Sequence, residues 1–280
     1  MIIAKLDSGL LEVVSGILPA VILEYIGNSS LYSAIAVKPA SWLLLSITLQ
    51  NSTIFKEAFC HIAALYPAWP WTDKPQTDLP KDLLSAIKSK ARELEHMRIS
   101  VDRQLSMLTL QAPYLDAQNR PMLPISEINH PYKYDVVNFW WHWVARHLNH
   151  LDSTEPIQAA AAHKASDFCN HINTSCLSRA SFYRALAKGG DTYLPFNELV
   201  RKFKVAGRYL IGADEEEMRS ALVELKGAAA GIVAPLVQSS LQLKGSGELG
   251  YLSCVAVGEE EMVWKKEETE EEDGEGGMEL

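Results

Sequence analysis

Cysteine is scarce in this 280-residue chain, with four residues, Cys60, Cys169, Cys176 and Cys254, scattered rather than clustered. That excludes a disulfide scaffold, and Cys60, set in an apolar helical pattern, is expected to be a buried free thiol in a reducing, intracellular setting. Long hydrophobic runs are lacking near the start. Residues 13–23 make an uncharged run of eleven containing Gly16 and Pro19, well short of the roughly 20 residues a spanning helix needs. Glu12 and Glu24 interrupt any signal-peptide core. No membrane segment and no secretion are expected, so the sequons at Asn28, Asn51 and Asn173 are not expected to matter.

A basic balance is also missing. The net charge is −9, and residues 258–280 hold eleven Asp/Glu against two Lys, which leaves 24 of each sign elsewhere. Nucleic acid is therefore not an expected partner. The short signatures of nucleophilic, zinc-hydrolytic and phosphate chemistry are absent as well: no G-x-S-x-G, H-E-x-x-H, P-loop or G-x-G-x-x-G pattern occurs. Gly207 and Gly212 have the spacing of a phosphate loop without the Lys-Ser/Thr that would follow. No cofactor is expected.

What the chain does have is helical patterning over a composition 48% hydrophobic and 22% charged, the balance of a globular protein with a real core. Residues 9–35 place Leu10, Leu11, Val14 and Ile17, then Val21, Ile22, Tyr25 and Ile26, at helical spacing around Pro19. Next comes the organising stretch, residues 37–71. Pro39 suits a first helical turn, Trp42, Leu43, Leu45, Ile47 and Leu49 follow, and Asn51, Ser52 and Thr53 offer caps. A second helix through Phe55, Phe59, Ile62 and Tyr66 is stopped by Pro67 and Pro70.

The string Pro39-Ala-Ser-Trp-Leu43, with Leu45-Ser46, Leu49-Gln50, Ile54-Phe-Lys-Glu-Ala58, His61 and Tyr66-Pro-Ala-Trp-Pro-Trp71, resembles the helical region that follows the BTB/POZ domain in uncharacterised filamentous-fungal proteins. Ile232-Val-Ala-Pro-Leu236 and Tyr251-Leu-Ser-Cys254 are similar to the closing section of those proteins. A BTB domain needs alternating strands and helices, and no such alternation precedes residue 37. The resemblance implies action through protein contacts, and it carries over no functional residues.

Residues 81–111 lack Pro and Gly and place Leu84, Ala91 and Leu105 in one heptad register and Ile87, Leu94, Val101 and Leu108 in another. One long helix of about 45 Å is expected, either laid across the fold or self-associating. Residues 112–134, with four prolines, read as an irregular connector and a place for subdivision. Asp135 is expected to cap a helix carrying Val136, Phe139, Trp140, Trp143 and Val144, and Ser153 or Thr154 to cap another with Pro156 in its first turn. A further helix through Phe182, Tyr183 and Leu186 ends at Gly189-Gly190.

Residues 194–209 predict an amphipathic helix with a basic face of Arg201, Lys202, Lys204 and Arg208. Asp214 and Glu217 fit a capping box, and two helices to about residue 243 are expected, with a break near Gly227 and a stop or kink at Pro235. Residues 251–257 read as a strand. The expected architecture is thus an all-α irregular multi-helix bundle: a helical body over 5–245, a hinge and extended segment over 246–257, and a disordered acidic tail over 258–280.

His163, Cys169, His171 and Cys176 are four ligand types in fourteen residues, but H-x5-C-x-H-x4-C matches no zinc spacing. His142, His147 and His150 fit ordinary positions on an amphipathic helix. For catalysis the groups to inspect are His61, His142 and His147 beside Asp135 or Glu57. The sequence favours a non-catalytic protein-interaction module with an unknown protein partner. Its interaction surface is Arg201, Lys202, Lys204 and Arg208, with residues 81–111 as a self-association seam. A motif-less enzyme, or a His/Cys metal-binding protein, is the alternative.

Overall fold

The computed structural model describes residues 31–71, 76–110, 125–158, 179–205, 212–243 and 249–265. Among these the fold is all-α, and no strand occurs. Helix α1 covers Leu31–Val37, and α2, Pro39–Thr48, is bent from it by 117°. Pro39 occupies the first turn of α2, where a missing N–H costs nothing. Gln50 then adopts a left-handed φ of 49°, which lets its N–H reach Ile47 O at 3.2 Å and the Asn51 N–H reach Ser46 O at 3.0 Å, satisfying carbonyls the helix end would orphan. Asn51 in turn caps α3, Ser52–Leu65, its side chain accepting the Ile54 N–H at 2.9 Å. Helix α4 spans Lys81–Met107, α5 Pro131–Gln158, α6 Arg179–Lys188, α7 Phe196–Val205 and α8 Gly212–Val237. A 3-10 turn lies at Gln76–Asp78.

The chain forms two compact units, one up to Glu95 together with the residues from Gln238 onward, the other His96–Val237. The boundaries between these units fall inside α4 and at the end of α8. In the first unit α2 packs on α3, and Leu31, Ile35, Leu43, Phe55, Phe59 and Ile62 form a core that Leu83 and Ile87 of α4 complete. Trp71 closes it, donating its indole N–H to Ala36 O at 3.0 Å.

In the second unit α6 and α5 pack on α8. Val136, Trp140, Val144, His147 and Leu151 make the buried stripe of α5, spaced three or four residues apart as an amphipathic helix requires. Trp140, fully buried, donates to Leu105 O at 3.3 Å. Asp102 of α4 meets Arg179 at 2.5 Å, the Tyr183 hydroxyl at 2.5 Å and Arg98 at 3.3 Å, which ties α4 to α6. Ile87 and Val101, two of the four residues in one heptad register, are already buried within the chain.

Several boundaries differ from expectation. The long helix is one of three exceeding 25 residues among the described ones. Helix α5 begins at Pro131, so Asp135 lies inside it rather than capping it, and the helix continues through Ser153, Thr154 and Pro156. Likewise α8 runs unbroken past Gly227, and it ends at Val237, two residues after Pro235, where a stop was expected. Its stripe of Met218, Leu222, Leu225, Ala229, Val233 and Leu236 is buried, and that tertiary burial outweighs the roughly 1 kcal/mol propensity cost of a single glycine. Helix α8 is also long and apolar enough to cross a membrane by length and composition, a segment the sequence reading did not anticipate.

Residues 251–257 are extended but form no strand. The segment expected to be a disordered tail is structured over 258–265. Met262 and Trp264 are buried in the core of the first unit, where Trp264 meets Phe55 edge-on at 5.2 Å. Glu261 pairs with Lys90 at 3.0 Å and accepts the Gly258 N–H at 2.6 Å. An apolar Met-Val-Trp triplet inside an acidic stretch thus finds a core once its nearest carboxylate is neutralised. The helices expected before residue 30, residues 112–124 of the expected connector, the ligand set His163, Cys169, His171 and Cys176, Arg208, and the tail beyond 265 lie outside the described residues.

Candidate functional site

Of the five groups singled out for catalysis, the structure brings Glu57 and His61 together on α3. Residues four apart share a helix face, and His61 Nε2 lies 3.9 Å from Glu57 Oε1, with both side chains buried. The carboxylate is already committed: its two oxygens accept the Gln242 N–H at 2.8 Å and the Leu243 N–H at 3.1 Å. It thereby fastens the segment after α8 to α3. Burial raises the Glu57 pKa, and those two backbone bonds partly oppose the rise.

His61 shares a hydrogen bond of 2.6 Å between Nδ1 and the Tyr251 hydroxyl, and burial pushes its pKa down to about 4. Cys60 adjoins it in sequence, so the two side chains point in different directions on the helix. The thiol donates to Ser253 O at 3.5 Å, and burial drives its pKa up to about 12. A thiol held protonated is not a nucleophile. The cluster is a clasp between α3 and residues 242, 243, 251 and 253, in which Glu57, Cys60 and His61 are buried.

The remaining catalytic candidates do not join it. His142 is exposed on α5. His147 is buried in the second unit, its Nδ1–H donating to Trp143 O at 2.7 Å, with its ring among Trp143 and Phe182 at 4.2 and 5.9 Å. Burial lowers its pKa. Among the described residues no three His, Cys, Asp or Glu side chains are placed to hold a metal.

The basic residues of α7 divide as the periodicity predicts. Phe196, Leu199 and Phe203 are buried while Arg201, Lys202 and Lys204 are exposed. Lys202 lies 3.9 Å from Glu198 and 4.2 Å from the centre of the Phe139 ring; exposed pairs of this kind contribute little to stability. Val205, at the end of the helix, is 85% exposed.

A second feature of this unit was not legible beforehand. A groove of about 340 Å³ opens where the Gly189-Gly190 turn after α6 faces one side of α8. Both glycines have positive φ, 62° and 61°, a conformation that favours glycine. Lys226 is buried in the groove wall, 7% exposed, and donates to Gly190 O at 2.5 Å. Its ammonium lies 5.0 Å over the Tyr193 ring, and the Arg219 guanidinium lies 4.1 Å over Phe196. The sequence signal that marks the place is a lysine four residues after Leu222, within the buried stripe of α8. Comparison with protein-family models, with curated proteins and with solved structures found no match.

Proposed function

We propose that the chain is a non-catalytic, intracellular protein-interaction module that engages an acidic protein partner through the cationic face of α7. The observation that carries this reading is the division of that helix: Phe196, Leu199 and Phe203 anchor it in the core, while Arg201, Lys202 and Lys204 face solvent. A charged face on an anchored helix is presented with little backbone entropy left to lose on binding.

Two further considerations support the reading. The titratable groups most suited to chemistry are engaged elsewhere, Glu57 by two backbone N–H groups and His61 by Tyr251. The resemblance of residues 39–71 to the region after the BTB/POZ domain of fungal proteins implies action through protein contacts. The test is affinity capture with the full chain and with an Arg201→Glu/Lys202→Glu/Lys204→Glu variant. The reading expects an acidic protein captured by the wild type, weakened by rising salt, and lost in the variant. Unchanged capture by the variant would refute the assignment to α7.

A further inference from the structure

Lys226 presents a problem in electrostatics. An ammonium has three N–H donors; Gly190 O takes one, and the Tyr193 face lies near the group. Among the described residues it forms no ion pair, because Asp191, whose charge acts on it, is itself exposed and beyond pairing distance. Removing an ammonium from water costs several kcal/mol unless a counter-charge comes with it. Burial accordingly lowers the Lys226 pKa. The group sits in the wall of a groove large enough for a small molecule.

The rest of the lining says what such a molecule would be. Arg219, Leu222, Val223, Lys226, Gly227 and Ala230 line it from one face of α8, Phe196 from α7, and Lys188 and Asp191 from the end of α6 and the turn after it. Val223 is 65% exposed, an apolar surface left uncovered. Arg219 lies two turns from Lys226, roughly 10 Å along the axis, so the buried ammonium marks one end and an apolar floor lies between the two cations. We infer that this groove binds a small organic carboxylate, with its anionic end on Lys226 and its apolar body against Phe196, Leu222 and Val223. The lining holds three cations, Lys188, Arg219 and Lys226, against the single acid Asp191, so it is net cationic, and the uncovered Val223 beside them suits an anion that carries an apolar body rather than a bare inorganic one. The site is separate from the α7 face and does not depend on the interaction reading.

The probe is 4-phenylbutyrate, with neutral 4-phenylbutan-1-ol as its control, each titrated into the full chain and followed by amide NMR shifts. The carboxylate is expected to shift Gly189, Gly190 and the 222–227 amides and to bind at least about tenfold more tightly than the alcohol. Lys226→Met keeps the aliphatic stem and removes the charge, and is expected to abolish that preference. Gly227→Leu fills the floor without touching any charge; a Cβ there meets nothing within 4 Å, and leucine favours the helix. This variant is expected to block the probe, and it decides the matter should Lys226→Met fail to fold. Equal affinity for acid and alcohol, undiminished binding by a folded Lys226→Met or by Gly227→Leu, or no wild-type binding up to about 10 mM would each overturn the assignment.

Discussion

Truncating the chain after Gly258 and after Lys265 should give two very different proteins. The longer form keeps Met262, fully buried, and Trp264, 7% exposed, in the core of the first unit; the shorter form loses both, together with the Lys90–Glu261 pair. Large-to-small changes at buried Met and Trp cost about 2–5 and 3–5 kcal/mol, and the edge-on contact with Phe55 adds roughly 0.5–1.5 kcal/mol beyond area. The two residues share a cluster, so the losses do not simply add; about 5 kcal/mol is a reasonable combined figure. For a domain of this size that corresponds to a fall in Tm of roughly 10–20 °C. The charged residues after Lys265 have too little apolar content to contribute comparably. Thermal and urea unfolding followed by far-ultraviolet circular dichroism, which does not depend on the deleted tryptophan, reads both forms against the full chain. The 1–265 form should melt within a degree or two of the full chain. If the 1–258 form melts as the 1–265 form does, residues 259–265 contribute nothing to the core and the packing argument is wrong.

Burial pushes the His61 ring down to about 4 in the folded chain, against 6.5 for a solvent-exposed imidazole. Its contribution is therefore fully present above about pH 6.5 and lost as the pH falls toward 4, on the order of 3 kcal/mol; the raised Glu57 pKa acts in the opposite sense at acid pH. Urea unfolding at pH 7 and pH 4.5 should show that loss shrinking in His61→Gln, and an equal loss in both proteins would count against it. Asp102→Ala removes a carboxylate that meets Arg179, Arg98 and Tyr183, and should destabilise the second unit by about 3–5 kcal/mol, where a change below about 1 kcal/mol would show the network to be dispensable. Asn51→Ala should cost about 1 kcal/mol and Asn51→Asp much less, since the side chain accepts the Ile54 N–H; equal midpoints for all three in urea would deny the cap its role.

Local signals in this chain were sufficient where a structural decision is made within about four residues. Pro39 and Asn51 set the starts of α2 and α3, Gly189 closes α6, and the three- and four-residue spacing of Phe196, Leu199 and Phe203 divides α7 into an anchored and a charged face. All of that is readable because caps, turns and helical faces involve near neighbours in the chain. Decisions between distant residues were not readable in the same way. That α8 runs on through Gly227, that Glu57 fastens residues 242 and 243, that Met262 and Trp264 belong to a core rather than a tail, and that Lys226 lines a groove beside Gly190 depend on partners from 36 to more than 200 positions away. Spacing along a chain records the period of an element, whereas burial depends on which elements meet. A few kcal/mol of burial is enough to override a glycine or an acidic neighbourhood that the local sequence alone would have taken as an end.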